Sequence, residues 1–81
     1  FTMVYPLHEL KPGERAEIVW VISEPPMSLR LEELGFSAAA QVTCVMKGRR
    51  DRMSAYQIQG TVIALRPQNA REVLVRPLER I

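Results

Sequence analysis

The sequence predicts a mainly β domain: a small, partly open barrel of about five short strands, with one short α-helix and one 3₁₀ turn. Three observations predict it. Several short, closely spaced runs alternate apolar and polar residues at a period of two. Only Met27 to Phe36 follows helical spacing over a useful length, and it carries its own stop signal. Turn residues separate the runs, and closing them into a barrel protects edges that so small a flat sheet would expose.

The helical stretch comes first because the rest is arranged around it. Met27, Leu31 and Leu34 fall at i, i+4 and i+7 and share one face, while Arg30, Glu32 and Glu33 fall on the others. Gly35 follows the last apolar position, where a helix end needs a left-handed residue that glycine adopts without steric cost. Phe36 is then placed to pack back on Leu31. Pro25 and Pro26 lie at the start, where proline is tolerated.

In chain order, Tyr5 to Lys11 is a lead-in anchored by Leu7 and Leu10, and Lys11-Pro12-Gly13-Glu14 is a turn built on Gly13. Arg15 to Ser23 is the first strand, with Ala16, Ile18, Trp20 and Ile22 on one face. After the helix and a Ser37–Ala40 loop, Gln41 to Lys47 is the second strand, with Val42, Cys44 and Met46 together. Lys47 to Arg52 is a charged hairpin loop. Met53 to Gln59 is the third strand, and Gly60 marks a tight bend or barrel-corner bulge. Thr61 to Arg66 is the fourth, Pro67 to Ala70 suits the 3₁₀ turn, and Arg71 to Arg76 is the last, with Val73 and Val75 inward.

Eighty-one residues make a single domain over 1–81 with a marginal core, and the 47% hydrophobic content fits a folded chain. A net charge of +2 is too small to imply nucleic acid by itself. The lone Cys44 cannot form an internal disulfide, which fits a reducing compartment. No apolar run approaches membrane-spanning length and no signal peptide is visible, so the expected location is cytoplasmic. The chain opens on Phe1, with Met3 read as the natural start.

Chemistry-bearing clusters are sparse. His8 and Cys44 are the soft or borderline metal ligands and lie on different elements, while Glu32 and Glu33 point about 100° apart on a helix. No metal site or cofactor is expected. Ser23, Ser28, Ser37 and Ser54 have no base motif around them, and the glycines form no phosphate loop, so no enzyme is expected. Two features lie outside these needs. Leu29 is off the core face and reads either as partly covered at the barrel rim or as an apolar anchor flanked by Arg30 and Glu33. Lys47, Arg49, Arg50 and Arg52 read either as a solvated hairpin tip or as a binding surface for RNA, phospholipid or an acidic protein patch. Trp20 and Tyr56 read as core or half-buried strand residues rather than binding aromatics.

Several segments, in this order, resemble the FeoA family, small cytosolic accessory proteins of bacterial ferrous iron uptake. They are Leu10 to Ala16, Arg30 to Phe36, Tyr56 to Gly60, Ile63 to Arg66 and Ala70 to Val75. A related SH3-like domain ends some metal-dependent repressors. Two loops depart from the family pattern: Ser37 to Ala40 replaces a Pro-Gly turn, and Arg50-Asp51-Arg52-Met53 replaces a Gly-Asp-Pro segment. The resemblance implies an SH3-like barrel and an interaction module acting on FeoB, the membrane iron transporter with a cytosolic GTPase domain. The partner-contact candidates are Leu29, Arg30, Glu33, Arg49, Arg50 and Arg52. Gly13, Leu31, Leu34, Gly35, Phe36 and Gly60 are structural. No nucleic acid is expected, contact with the membrane is expected only through the partner, and a homo-oligomer stays open. The alternatives are a repressor-type SH3-like domain and a nucleic-acid-binding barrel using the basic hairpin.

Overall fold

A computed structural model describes residues 3–78. Six strands form one antiparallel sheet: β1 (Tyr5–Pro6), β2 (Arg15–Val21), β3 (Gln41–Met46), β4 (Ser54–Ile58), β5 (Thr61–Leu65) and β6 (Val73–Pro77), in the order β1-β6-β2-β3-β4-β5. β1 and β5 are the two edges, so the barrel is partly open. The 3₁₀ turn is Leu7–Glu9, and two helices, α1 (Met27–Glu33) and α2 (Pro67–Ala70), complete the elements.

The expected count of five strands falls short by β1. Two residues, one a proline, leave no alternation to read. The 3₁₀ turn is also displaced from its expected place. Leu7–Glu9 closes on Leu10 N–H donating to Leu7 O at 2.9 Å. Pro67–Ala70 is instead one α-helical turn, because Ala70 N–H reaches Arg66 O and Arg71 N–H reaches Pro67 O, both at 2.9 Å. Leu7 and Leu10 are fully buried, as their anchoring role requires.

One core fills the concave side of the sheet. It holds Leu7, Leu10, Ala16, Ile18, Leu31, Phe36, Val42, Cys44, Tyr56, Ile58, Leu65, Ala70, Val73 and Val75. Strand alternation accounts for most of this set. It fails at two bulges. The register against β6 shifts between Ile18 and Trp20, and that against β4 shifts between Cys44 and Met46. Each one-residue slip moves the following side chains to the other face. Trp20, expected in the core or half-buried, is therefore 63% exposed, and Met46, expected beside Cys44, is exposed as well. Ile22, also expected inward, lies past the end of β2 and is exposed.

A seven-residue helix is too short to persist by itself. α1 is held by Leu31, which is buried, and by its cap. Gly35 has φ +110°, its N–H donates to Glu32 O at 3.0 Å, and Phe36 N–H donates to Leu31 O at 2.9 Å. These two bonds make a Schellman motif, and Phe36 enters the core beside Leu31. Leu34 does not share that burial. The helix ends at Glu33, so Leu34 sits at the cap, 38% exposed, and Phe36 takes the core position instead. The following turn closes with Ala40 N–H on Ser37 O at 3.1 Å, and Ala39 occupies its left-handed position at φ +74°. The β2 bulge receives this turn: Ala39 N–H donates to Ile18 O at 2.8 Å and Ile18 N–H to Ala40 O at 2.9 Å.

Gly13 sits at φ +86° in a turn closed by Glu14 N–H on Lys11 O at 2.9 Å. Gly60 belongs to no barrel corner. With Gln59 at φ +52° and Gly60 at φ +75°, the pair makes the two-residue turn of the β4–β5 hairpin, flanked by Ile58 opposite Thr61.

These conformations set opposite expectations for two residues. A Cβ on Gly35 would lie 2.7 Å from Gln59 Cγ and would also be strained at φ +110°. Gly35→Val should therefore lower stability by about 2 kcal/mol or more in urea unfolding. Ala39→Gly should raise it by about 0.5 kcal/mol, the left-handed strain relieved less glycine's extra chain entropy. A wild-type midpoint for Gly35→Val would contradict the cap, and a lower midpoint for Ala39→Gly would contradict the turn.

Candidate functional site

α1 presents Pro26, Leu29, Arg30 and Glu33 at i, i+3, i+4 and i+7, all exposed and opposite the buried Leu31. Leu29 is 56% exposed, so it serves no core role. A groove of about 330 Å³ beside it is lined by Pro26, Met27 and Arg30. Met27 packs partly on the core, so one side of the groove is fixed by the fold. The helix amides at this end are satisfied by Glu24 O, which accepts from Met27 N–H at 3.1 Å and Ser28 N–H at 3.3 Å, and by Pro26 O, which accepts from Arg30 N–H at 3.1 Å. This chain thus brings three of the expected contact residues, Leu29, Arg30 and Glu33, onto one surface with an apolar centre and one charge of each sign.

Arg49, Arg50 and Arg52 are exposed on the β3–β4 loop and form a different surface. β4 separates the two. The loop precedes Ser54, while Gly35 at the end of α1 lies against Gln59 and Ile58 at the other end of the strand. Five residues of strand span about 16 Å. The loop itself is tied: Gly48 N–H donates to Ser54 Oγ at 2.9 Å, and Arg52 N–H to Arg49 O at 2.8 Å. The Lys47 ammonium donates to the His8 carbonyl, so this cation is engaged in holding the 3₁₀ turn to the hairpin.

A third surface escaped the sequence pattern. Trp20 stands opposite Leu74, which stands opposite Pro6, so an apolar row crosses β2, β6 and β1 on the outer face. Val19 and Ile22 are exposed beside it. On the same sheet, Arg76 Nη2 pairs with Glu17 Oε1 at 2.5 Å. The alternation of Arg15 to Ser23 carries no sign of the bulge, so nothing in it separates Trp20 from Ile18.

Among the described residues no three His, Cys, Asp or Glu side chains come together as a metal site. Burial pushes the Cys44 thiol up, with Lys47 opposing and Glu14 reinforcing, so Cys44 stays a protonated core residue. Burial, and next to it Cys44, pushes the Tyr56 hydroxyl up. Tyr56 Oη and His8 Nδ1 are buried without a hydrogen-bond partner in the protein. No helix of the described residues is long and apolar enough to cross a membrane.

The FeoA domain family matches residues 5–77. The chain belongs to the FeoA domain family. An iron uptake regulatory protein, FeoA, superposes with a TM-score of 0.85 at 24% identity, covering 94% of this chain and 100% of that one. The FeoA of Stenotrophomonas maltophilia superposes at 0.77 with 31% identity, covering 86% of this chain and 87% of that one. That protein was crystallised with zinc, is described as a prokaryotic SH3 domain protein, and has been put forward as a bacterial ferrous iron transport activating factor. A manganese-dependent transcriptional repressor shares the fold at a TM-score of 0.86 and 15% identity; the match covers 96% of this chain and 44% of the repressor. No curated protein matches this FeoA-family domain in sequence. Family membership accords with the SH3-like fold expected from the segments between Leu10 and Val75.

Because Trp20 is outside the core, Trp20→Ser should cost less than about 1 kcal/mol, against about 3 to 5 for truncation of a buried Trp. Thermal unfolding decides this. A loss in the core range would mean that Trp20 packs inward and that the bulge is misplaced.

Proposed function

We propose that this FeoA-family domain is a cytoplasmic accessory protein of bacterial ferrous iron uptake, without catalytic activity of its own. It acts as an interaction module on the cytosolic region of the FeoB transporter. The observation that carries this reading is Leu29, a large apolar side chain more than half exposed on the helix face that it shares with Pro26, Arg30 and Glu33. A side chain so placed adds nothing to the core and gains by burial against a partner. Arg30 and Glu33 supply one charge of each sign at its edge, suited to orienting a partner rather than to bulk attraction. Membership in the FeoA family supports the setting in iron uptake. The name given to the Stenotrophomonas maltophilia relative supports an effect on transport.

A small domain that performs no chemistry acts by the difference in its affinity for two states of its partner. The helix face contributes the affinity. Arg49, Arg50 and Arg52 lie too far from it to join the same contact centre and serve, toward a protein partner, as rim charges that speed encounter.

Leu29→Asp tests the reading directly. Binding to the purified cytosolic part of the transporter should fall by about tenfold or more, with thermal stability unchanged, and the variant should fail to support iron uptake in a strain lacking the native gene. Replacing Arg49 and Arg50 by Ser should weaken binding less, and that loss should shrink at high salt. Uptake unaffected by Leu29→Asp but abolished by the arginine changes would place the contact on the wrong face.

A further inference from the structure

The β3–β4 hairpin end combines two properties that go beyond the rim-charge role given to its arginines above. The first is unneutralised positive charge. Lys47, Arg49, Arg50 and Arg52 face a single carboxylate, Asp51, within six consecutive residues. Among the described residues the one ion pair is Arg76–Glu17 on β2 and β6, so no carboxylate pairs with the three loop arginines. The second is exposed apolar surface on the same hairpin. Val45, Met46 and Met53 are 48%, 60% and 47% exposed, immediately before and after the charged loop. The bulge after Cys44 is what turns Met46 outward. The neck of the loop is closed tightly, since a Cβ on Gly48 would lie 2.3 Å from Met53 O. The hairpin end is thus a held turn whose cations and whose exposed aliphatic and thioether side chains lie within a few residues of one another.

We infer that this hairpin end docks on an anionic phospholipid bilayer. The arginine guanidiniums meet headgroup phosphates, for which their planar paired donors are suited. Met46 and Met53, unbranched and apolar, enter the boundary between headgroups and acyl chains. Neither term suffices by itself, because stable peripheral attachment takes two signals, here charge and apolar insertion. The exposed apolar side chains beside the cations are what select a bilayer over the other anionic partners. An RNA strand would take up the arginines but would leave the methionines in water, and the loop holds no aromatic on which a base could stack. The helix contact proposed above has its centre at the far end of β4 and shares only the loop arginines with this surface.

Flotation of the full chain with vesicles tests it. Binding should be strong on phosphatidylcholine vesicles containing phosphatidylglycerol, weak on phosphatidylcholine alone, and reduced by salt. The triple change Arg49→Ser, Arg50→Ser and Arg52→Ser should weaken apparent affinity for the anionic vesicles by roughly a hundredfold. Met46→Ser with Met53→Ser should weaken it by about tenfold and leave a remainder more sensitive to salt. Leu29→Asp should bind vesicles like the wild type, so a failed transporter contact and a failed bilayer contact are told apart. All the changed side chains are exposed, and unchanged thermal unfolding confirms that each variant is folded. Equal or absent binding to the two vesicle types would overturn the inference. So would indifference to the methionine changes, or single-stranded RNA displacing the chain from anionic vesicles without regard to those methionines.

Discussion

The left-handed turn at Gly35 is the constraint on which the arrangement of this domain depends. It ends α1 after two turns, satisfies the Leu31 and Glu32 carbonyls, and sends Phe36 straight into the core. Burying Leu31 and Phe36 contributes on the order of 3 to 6 kcal/mol together, an upper estimate that the chain's lost freedom offsets in part. The turn after Phe36 then bonds into the β2 bulge at Ile18, and the glycine itself lies against Gln59 in the β4–β5 turn. One residue thereby relates β2, α1, β3 and the β4–β5 hairpin. The outer face of α1 is rigidly presented for the same reason.

The two bulges decide what this core leaves outside. A sheet of alternating residues sorts its side chains automatically, and a one-residue slip reverses the sorting from that point on. In β2 the slip releases Trp20, and in β3 it releases Met46. Neither is a defect of packing. The β2 bulge is where the Ser37–Ala40 turn makes its hydrogen bonds, so turning Trp20 outward accompanies the fixing of the helix. The β3 bulge sits at the root of the basic hairpin and gives it its exposed Met46.

Much of this was legible in the sequence. The helix start, the glycine stop and the Phe36 return could be read because a 3.6-residue period and a left-handed cap leave local marks. The Pro12-Gly13 turn and the inward positions of Val42, Cys44, Tyr56, Ile58, Val73 and Val75 could be read for similar reasons. β1 could not, since a two-residue strand has no period, and its pairing with β6 spans nearly the whole chain. The bulges could not, because the residues that follow Ile18 and Cys44, Val19 to Ile22 and Val45 with Met46, are apolar in both registers. Of the candidate site, the outer position of Leu29 followed from helical spacing. The groove at Met27, the outer-face row of Trp20, Leu74 and Pro6, and the separation of the arginine loop from the helix by the length of β4 all follow from tertiary pairing, which no local pattern encodes.

We propose that the outer face of α1, held by the Gly35 cap, is the surface that meets the transporter. Amide chemical-shift mapping of the isotope-labelled domain, titrated with the cytosolic region of FeoB, addresses it at residue resolution. Shifts are expected to concentrate on Met27 to Glu33, with the Trp20–Leu74 face and the Lys47–Arg52 loop little changed. Shifts centred on Trp20 and Leu74, with the helix amides unmoved, would contradict it.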